Sequence, residues 1–152
     1  MNLALKVIPP VQVLLASGLM YSITILFPQF NFELQQSLVI AAFLFITAGV
    51  IGSLALYDFH RHQTTFHPHT PEKTRTVVDS GIFSFSRNPM YIALAIILCA
   101  IAIILKNYCS FVILPLFIWY ITQFQIIPEE NVLNKLFPDD YQAYCQKVRR
   151  WL

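Results

Sequence analysis

Charge-free runs constrain this chain more than any other feature. Between Lys6 and Glu33 stand 26 residues without Asp, Glu, Lys or Arg, and between Glu33 and Asp58 stand 24. Between Arg87 and Lys106 there are 18, and between Lys106 and Glu129 there are 22. A helix that crosses the hydrocarbon of a bilayer needs about 20 mainly apolar residues, within a range of about 17 to 25. Four runs therefore predict four membrane helices, at 8–27, 37–57, 89–105 and 109–127. In 152 residues these make one domain, 1–152. Composition points the same way. The chain is 57% hydrophobic and 12% charged, too little charge to coat a soluble surface. The fold class read from the sequence is all-α, a polytopic membrane helix bundle. A net charge of +2 gives no basic face for nucleic acid.

Local signals refine the picture. Pro9 and Pro10 open the first run, where a helix tolerates proline. A cleaved signal peptide is the rival reading there. Val11 to Phe27 is long for the apolar part of such a signal, and no small-x-small site follows it. In the second run Ala48/Gly52 and Gly49/Ser53 are small-xxx-small pairs, which let helices approach closely. Lys106, Asn107 and Tyr108 suit a tight antiparallel hairpin. Pro115 predicts a kink in the fourth helix, which neighbours in a bundle accommodate. Four crossings place nine of the ten Lys and Arg residues on the side of both termini, with Lys106 alone opposite. Both termini are therefore expected in the cytoplasm. By analogy, the compactness of the chain suggests a bacterial inner membrane. Three cysteines without a C-x-x-C spacing suggest neither a disulfide framework nor a thiolate zinc site.

Polar chemistry is confined to 58–87 and to the tail 129–152. The tail reads as two short helices. The first starts at Pro128 with Glu129 and Glu130, the second at Pro138 with Asp139 and Asp140. Lys147, Arg149 and Arg150 are expected in its last turn, and Tyr141, Tyr144, Val148 and Trp151 on one face suited to lipid headgroups. Glu129 and Glu130 keep two readings: first-turn acids of an interfacial helix, or ionisable groups with a function at the membrane edge. In the other segment Gly81 permits a tight turn or close ligand approach. Asn88-Pro89 marks a helix start. A plainer reading makes Arg87 a snorkelling side chain and Tyr91 part of an aromatic belt. His60, His62, His67 and His69, with Asp58 and Glu72 nearby, have ligand types that zinc, copper or nickel accept. His67-Pro68-His69 restricts the backbone, and no acidic catalytic motif surrounds the run. It is read as a solvated loop and no metal is assigned.

Together the two patches resemble the isoprenylcysteine carboxyl methyltransferase and phospholipid methyltransferase superfamily of integral membrane enzymes. Val77-Val78 with Gly81 and Phe83 stand at its first motif. Arg87-Asn88-Pro89-Met90-Tyr91 match the second, before a helical hairpin. Glu129-Glu130 with Leu133 match the third, and Phe137, Tyr141, Tyr144, Val148, Arg150 and Trp151 the last. The matches run from about residue 74 to 151. The resemblance implies a pocket for S-adenosyl-L-methionine (SAM) between cytosol and bilayer. It implies that Arg75, Thr76, Val77, Val78 and Phe83 line the cofactor, that Asn88, Pro89, Met90 and Tyr91 form the central binding turn, and that Glu129 holds the polar end of SAM. Arg87 and Glu129 take the catalytic positions, and Gln125 the substrate-binding one.

Two residues depart from the pattern. Members that methylate a prenylcysteine carboxylate have arginine where this chain has Gln125, and a neutral amide is a poor substitute for bidentate carboxylate binding. Phe83 lacks the hydroxyl of the usual tyrosine. The reading is therefore SAM-dependent methyl transfer to a lipophilic small-molecule or lipid acceptor through a carboxyl, thiol or amine. The alternatives are a membrane reductase of related fold using NADPH, and a structural or metal-binding membrane protein. Oligomeric state is not specified.

Overall fold

Pro9, Ser37 and Pro89 each open a helix whose apolar residues continue to the next polar stretch. A computed structural model of the chain describes residues 8–61 and 77–152. Among them the helices are α1 (Pro9–Leu26), α2 (Ser37–Arg61), α3 (Pro89–Leu105), α4 (Ile113–Ile121), α5 (Ile127–Leu136) and α6 (Pro138–Lys147). No strand occurs among the described residues, and the fold is the all-α polytopic membrane bundle expected. Leu14, Leu15, Leu38, Phe43 and Trp119 are exposed on its outside. Lipid, not water, is the solvent such a surface fits.

Three helical runs are long and apolar enough to cross a membrane: Pro9–Leu26, Ser37–Arg61 and Tyr108–Leu136. The fourth, α3, is apolar but has 17 residues. The expectation for the fourth charge-free run needs correction. Its helical course does not stop at 127, and Pro128 does not start a separate helix. A 3₁₀ turn at Tyr108–Val112 passes into α4, then a π turn at Thr122–Ile126, then α5 without a break. Pro128 has no N–H to give the Phe124 carbonyl, so the turn before it widens: the N–H of Ile127 donates to the Thr122 carbonyl, five residues back.

α2 and α3 run antiparallel along each other. Ala41, Ala48 and Ala55 of α2 are buried at seven-residue spacing. A Cβ on Gly52 would sit 3.9 Å from the Ala93 Cβ, so small side chains bring these backbones close. Gly49 faces open space, so only the Ala48/Gly52 pair packs within the chain. Met20, Leu98, Ile121 and Ile126 form the fully buried centre.

Asn107 fastens one end of the bundle. It is fully buried; its Nδ2 donates to the Phe27 carbonyl (2.9 Å) and to Asn31 Oδ1 (2.7 Å), and its Oδ1 accepts from the Cys109 N–H (2.9 Å). The hairpin turns at Lys106, whose φ of 50° caps α3 in the left-handed region.

At the other end the tail departs from expectation twice. α6 stops at Lys147 and Val148 is extended, so Arg149 and Arg150 lie beyond the helix rather than in its last turn. Tyr141, Tyr144 and Val148 are buried against Ala55, Val78 and Phe83, not offered to headgroups. The Tyr144 hydroxyl donates to the Phe83 carbonyl (2.7 Å), which gives this buried ring the polar partner it needs.

Candidate active site

The 78–91 segment, the π turn with α5, and the last residues of the chain meet at the end of the bundle opposite Asn107. Proline at position 89 sets the first turn of α3, and Asn88 precedes it as the cap residue. Asn88 does not cap with its side chain. Its Nδ2 donates instead to the Arg150 carbonyl (3.0 Å), and its N–H donates to Ser86 Oγ (3.1 Å). Ser86 Oγ in turn donates to the Arg150 carbonyl (3.3 Å), and the Arg87 N–H to the Arg149 carbonyl (3.0 Å). The tail thus lies across the start of α3 as a strap.

Tyr91, in the first turn of α3, is buried, and its hydroxyl donates to Glu129 Oε1 (2.7 Å). Gln125 is 3% exposed within the π turn, and its Nε2 donates to the same oxygen (2.7 Å). Oε2 of Glu129 accepts no hydrogen bond from the described residues. The neighbouring Glu130 faces two arginines. Arg150 holds it in a bidentate pair (Nε–Oε1 3.0 Å, Nη2–Oε2 2.7 Å), and Arg87 Nη2 lies 3.3 Å from Oε1. Arg87 Nη1 also donates to Cys145 Sγ, and Arg87 Nε is a buried donor without a partner among the described residues. The bond to Glu130 pushes the Arg150 guanidinium above its ordinary pKa, and burial pushes the phenols of Tyr141 and Tyr144 upward. Trp151 Nε1 donates to Thr122 Oγ1 (3.3 Å), tying the strap to the π turn.

The residues singled out in the sequence divide into three groups. Tyr91, Gln125 and Glu129 form one polar cluster. Val78 and Phe83 are buried in an apolar cluster with Tyr141, Tyr144 and Val148, and Val77 and Met90 pack against it. Asn88 and the fully buried Pro89 lie under the strap. Arg87 does not reach Glu129; its carboxylate partner is Glu130. Arg75 and Thr76 lie outside the described residues, as do His62, His67 and His69 of the histidine run. Two participants escaped the sequence reading: Glu130 as the centre of the ion pairs, and the π turn. Only the last had a signal, a proline in mid-run three residues after a polar Gln125.

Compared with known protein families, the chain matches phospholipid methyltransferase over residues 37–140. The chain belongs to the phospholipid methyltransferase family. The match spans α2 to the start of α6 and includes the Tyr91–Gln125–Glu129 cluster, while Arg150 and Trp151 fall beyond it. The family lies in the isoprenylcysteine carboxyl methyltransferase-like superfamily that the motifs resemble. An uncharacterized protein of Haemophilus influenzae is 46% identical over 63 residues, 41% of this chain and all of that relative. No solved structure matches the chain. Membership makes methyl transfer the chemistry, and the apolar helices make a membrane the setting.

Proposed function

We propose that the chain is a SAM-dependent methyltransferase that modifies a lipophilic small-molecule or lipid acceptor at the cytoplasmic face of a bacterial inner membrane. The observation that carries this reading is the Glu129 carboxylate. Two donors fix one of its oxygens and leave the other without a partner among the described residues. The amino-acid end of SAM carries an ammonium and a carboxylate. Glu129 Oε2 suits the ammonium, and the unpaired Arg87 Nε suits an anion such as the carboxylate. An unpaired buried donor costs about 1–3 kcal/mol, which a bound anion relieves. The residues present therefore fit the cofactor.

When bound, SAM supplies a methyl group on a cationic sulfur, open to in-line displacement by an acceptor lone pair. The protein contributes position and dryness. Tyr91 and Gln125 hold Glu129 still. Arg150 and Arg87 hold Glu130, and with it the first turn of α5. Val77, Val78, Phe83 and Met90 supply an apolar wall, Asn88 and Pro89 the central turn, and by the motif match Arg75 and Thr76 extend it. By the motif match Gln125 takes the acceptor-binding position. Its amide is spent on Glu129, beside a negative charge, so an amine or thiol acceptor is favoured over a carboxylate.

Calorimetry on detergent-purified protein tests the proposal. SAM is expected to bind saturably at about one per chain, with binding lost in Glu129→Ala while the fold is kept. NADPH titrated in parallel is expected to give no binding. Folded, product-free protein that ignores SAM would overturn the reading, and binding of NADPH in its place would favour a reductase.

A further inference from the structure

Asp58 is 7% exposed near the C-terminal end of α2, one turn before Arg61. Neither the helix nor the bilayer explains a carboxylate there. The C-terminal end of a helix is its negative end and disfavours an acid. Burial of a carboxylate is costly unless hydrogen bonds answer it. The 81–84 turn provides one: the Ile82 N–H donates to Asp58 Oδ2 (2.9 Å). Gly81 lies closer still. It has a φ of +60°, and a Cβ there would stand 2.1 Å from Oδ2, 2.6 Å from Cγ and 2.7 Å from Oδ1. Residue 81 must be glycine for two separate reasons, left-handed backbone and lack of room. The close approach that this glycine permits is made by the chain's own Asp58.

The turn leads directly into the wall of the site. Phe83 packs edge-on against Phe59, the neighbour of Asp58, with centroids 4.9 Å apart. The Phe83 carbonyl receives the Tyr144 hydroxyl, and Val78 is buried in the same cluster. The other residues assigned to the cofactor site come from residue 75 onward, so Asp58 is the polar contact that, beside the apolar contacts of Ala55 and Phe59, ties that site to α2. We propose that Asp58 is a positioning residue for the cofactor. It locks the Gly81–Ser84 turn onto α2, so that Val78 and Phe83 stand as a preformed wall before SAM arrives. This inference rests on the SAM-dependent reading of the site.

The test is calorimetry of the full-length protein in detergent, with SAM and with S-adenosylhomocysteine as probes. Affinity and stoichiometry are read separately in wild type, Asp58→Ala, Asp58→Asn and Gly81→Ala. Asp58→Ala is expected to bind both probes about tenfold more weakly at unchanged stoichiometry. Asp58→Asn keeps an oxygen for the Ile82 N–H and is expected to stay within about threefold of wild type. Gly81→Ala attacks the same contact from the other side and is expected to behave like Asp58→Ala. If Asp58→Ala does not fold, Gly81→Ala decides on the same two quantities. Wild-type affinity in the folded variant would overturn the proposal. So would a loss confined to stoichiometry, which marks a folding defect only. Wild type that binds neither probe would overturn the SAM reading first and this inference with it, and that outcome is visible without any variant.

Discussion

Two donors converge on one oxygen of Glu129, and that geometry decides how substitutions read. Tyr91→Phe removes one donor and leaves Gln125 in place. SAM affinity is expected to fall by about tenfold, with the fold intact, as measured by calorimetry. Gln125→Arg is more telling. On motif grounds it supplies the cation that carboxylate-methylating relatives carry at this position. Here it stands four residues before Glu129 on the same helix face, where a guanidinium pairs with that carboxylate. SAM binding is expected to weaken by at least about tenfold, and unchanged affinity would show that the new charge leaves Glu129 alone. Tyr91 and Glu129 were legible in the sequence because each sits in a compact motif. Glu130 had the same motif but no legible partner, since Arg150 is 20 residues away and on a different element. Asp58 stands beside the histidine run in the sequence, and nothing local points to Ile82, 24 residues away.

Elements were legible where local chemistry sets them and lost where tertiary contacts do. The starts at Pro9, Pro89 and Pro138 follow from proline in the first turn. The end of α6 does not follow from its basic residues, because the strap turns away to meet Ser86, Arg87 and Asn88. Pro128 shows both effects: its helix-start signal was real chemistry, answered by a π turn inside a continuing helix. Pro128→Ala restores the N–H and allows an ordinary α turn. That turns α4 by about 100° relative to α5 and so shifts Thr122 away from Trp151. Thermal stability is expected to hold or rise while SAM affinity falls, and a fall in both would deny the turn a separate role. Truncation after Val148 tests the strap. It removes the Arg150–Glu130 pair and the Trp151–Thr122 bond, so SAM binding is expected to be lost while the protein stays helical by circular dichroism.

At the scale of the molecule, the charge-free runs foretold the helices, the short third one at 89–105 included. At 17 residues α3 rises about 25 Å, less than the roughly 30 Å hydrocarbon thickness. Its ends nevertheless belong to opposite ends of the bundle. Asn88 meets Arg150 at one, and just past the other Asn107 meets Phe27 and Asn31. A membrane accommodates a short helix by local thinning, a modest cost beside those buried polar contacts. α3 is therefore expected to cross, which puts both termini on the side with nine of the ten Lys and Arg residues. Single cysteines in a cysteine-free background check this with a membrane-impermeant maleimide. The exposed Tyr108, as Tyr108→Cys, is expected to be labelled in intact cells. Phe85→Cys and Lys147→Cys are expected to react only after permeabilisation. Labelling of Phe85→Cys together with Tyr108→Cys in intact cells would mean that α3 turns back within the bilayer. The SAM site would then face away from the cytosol that supplies its cofactor.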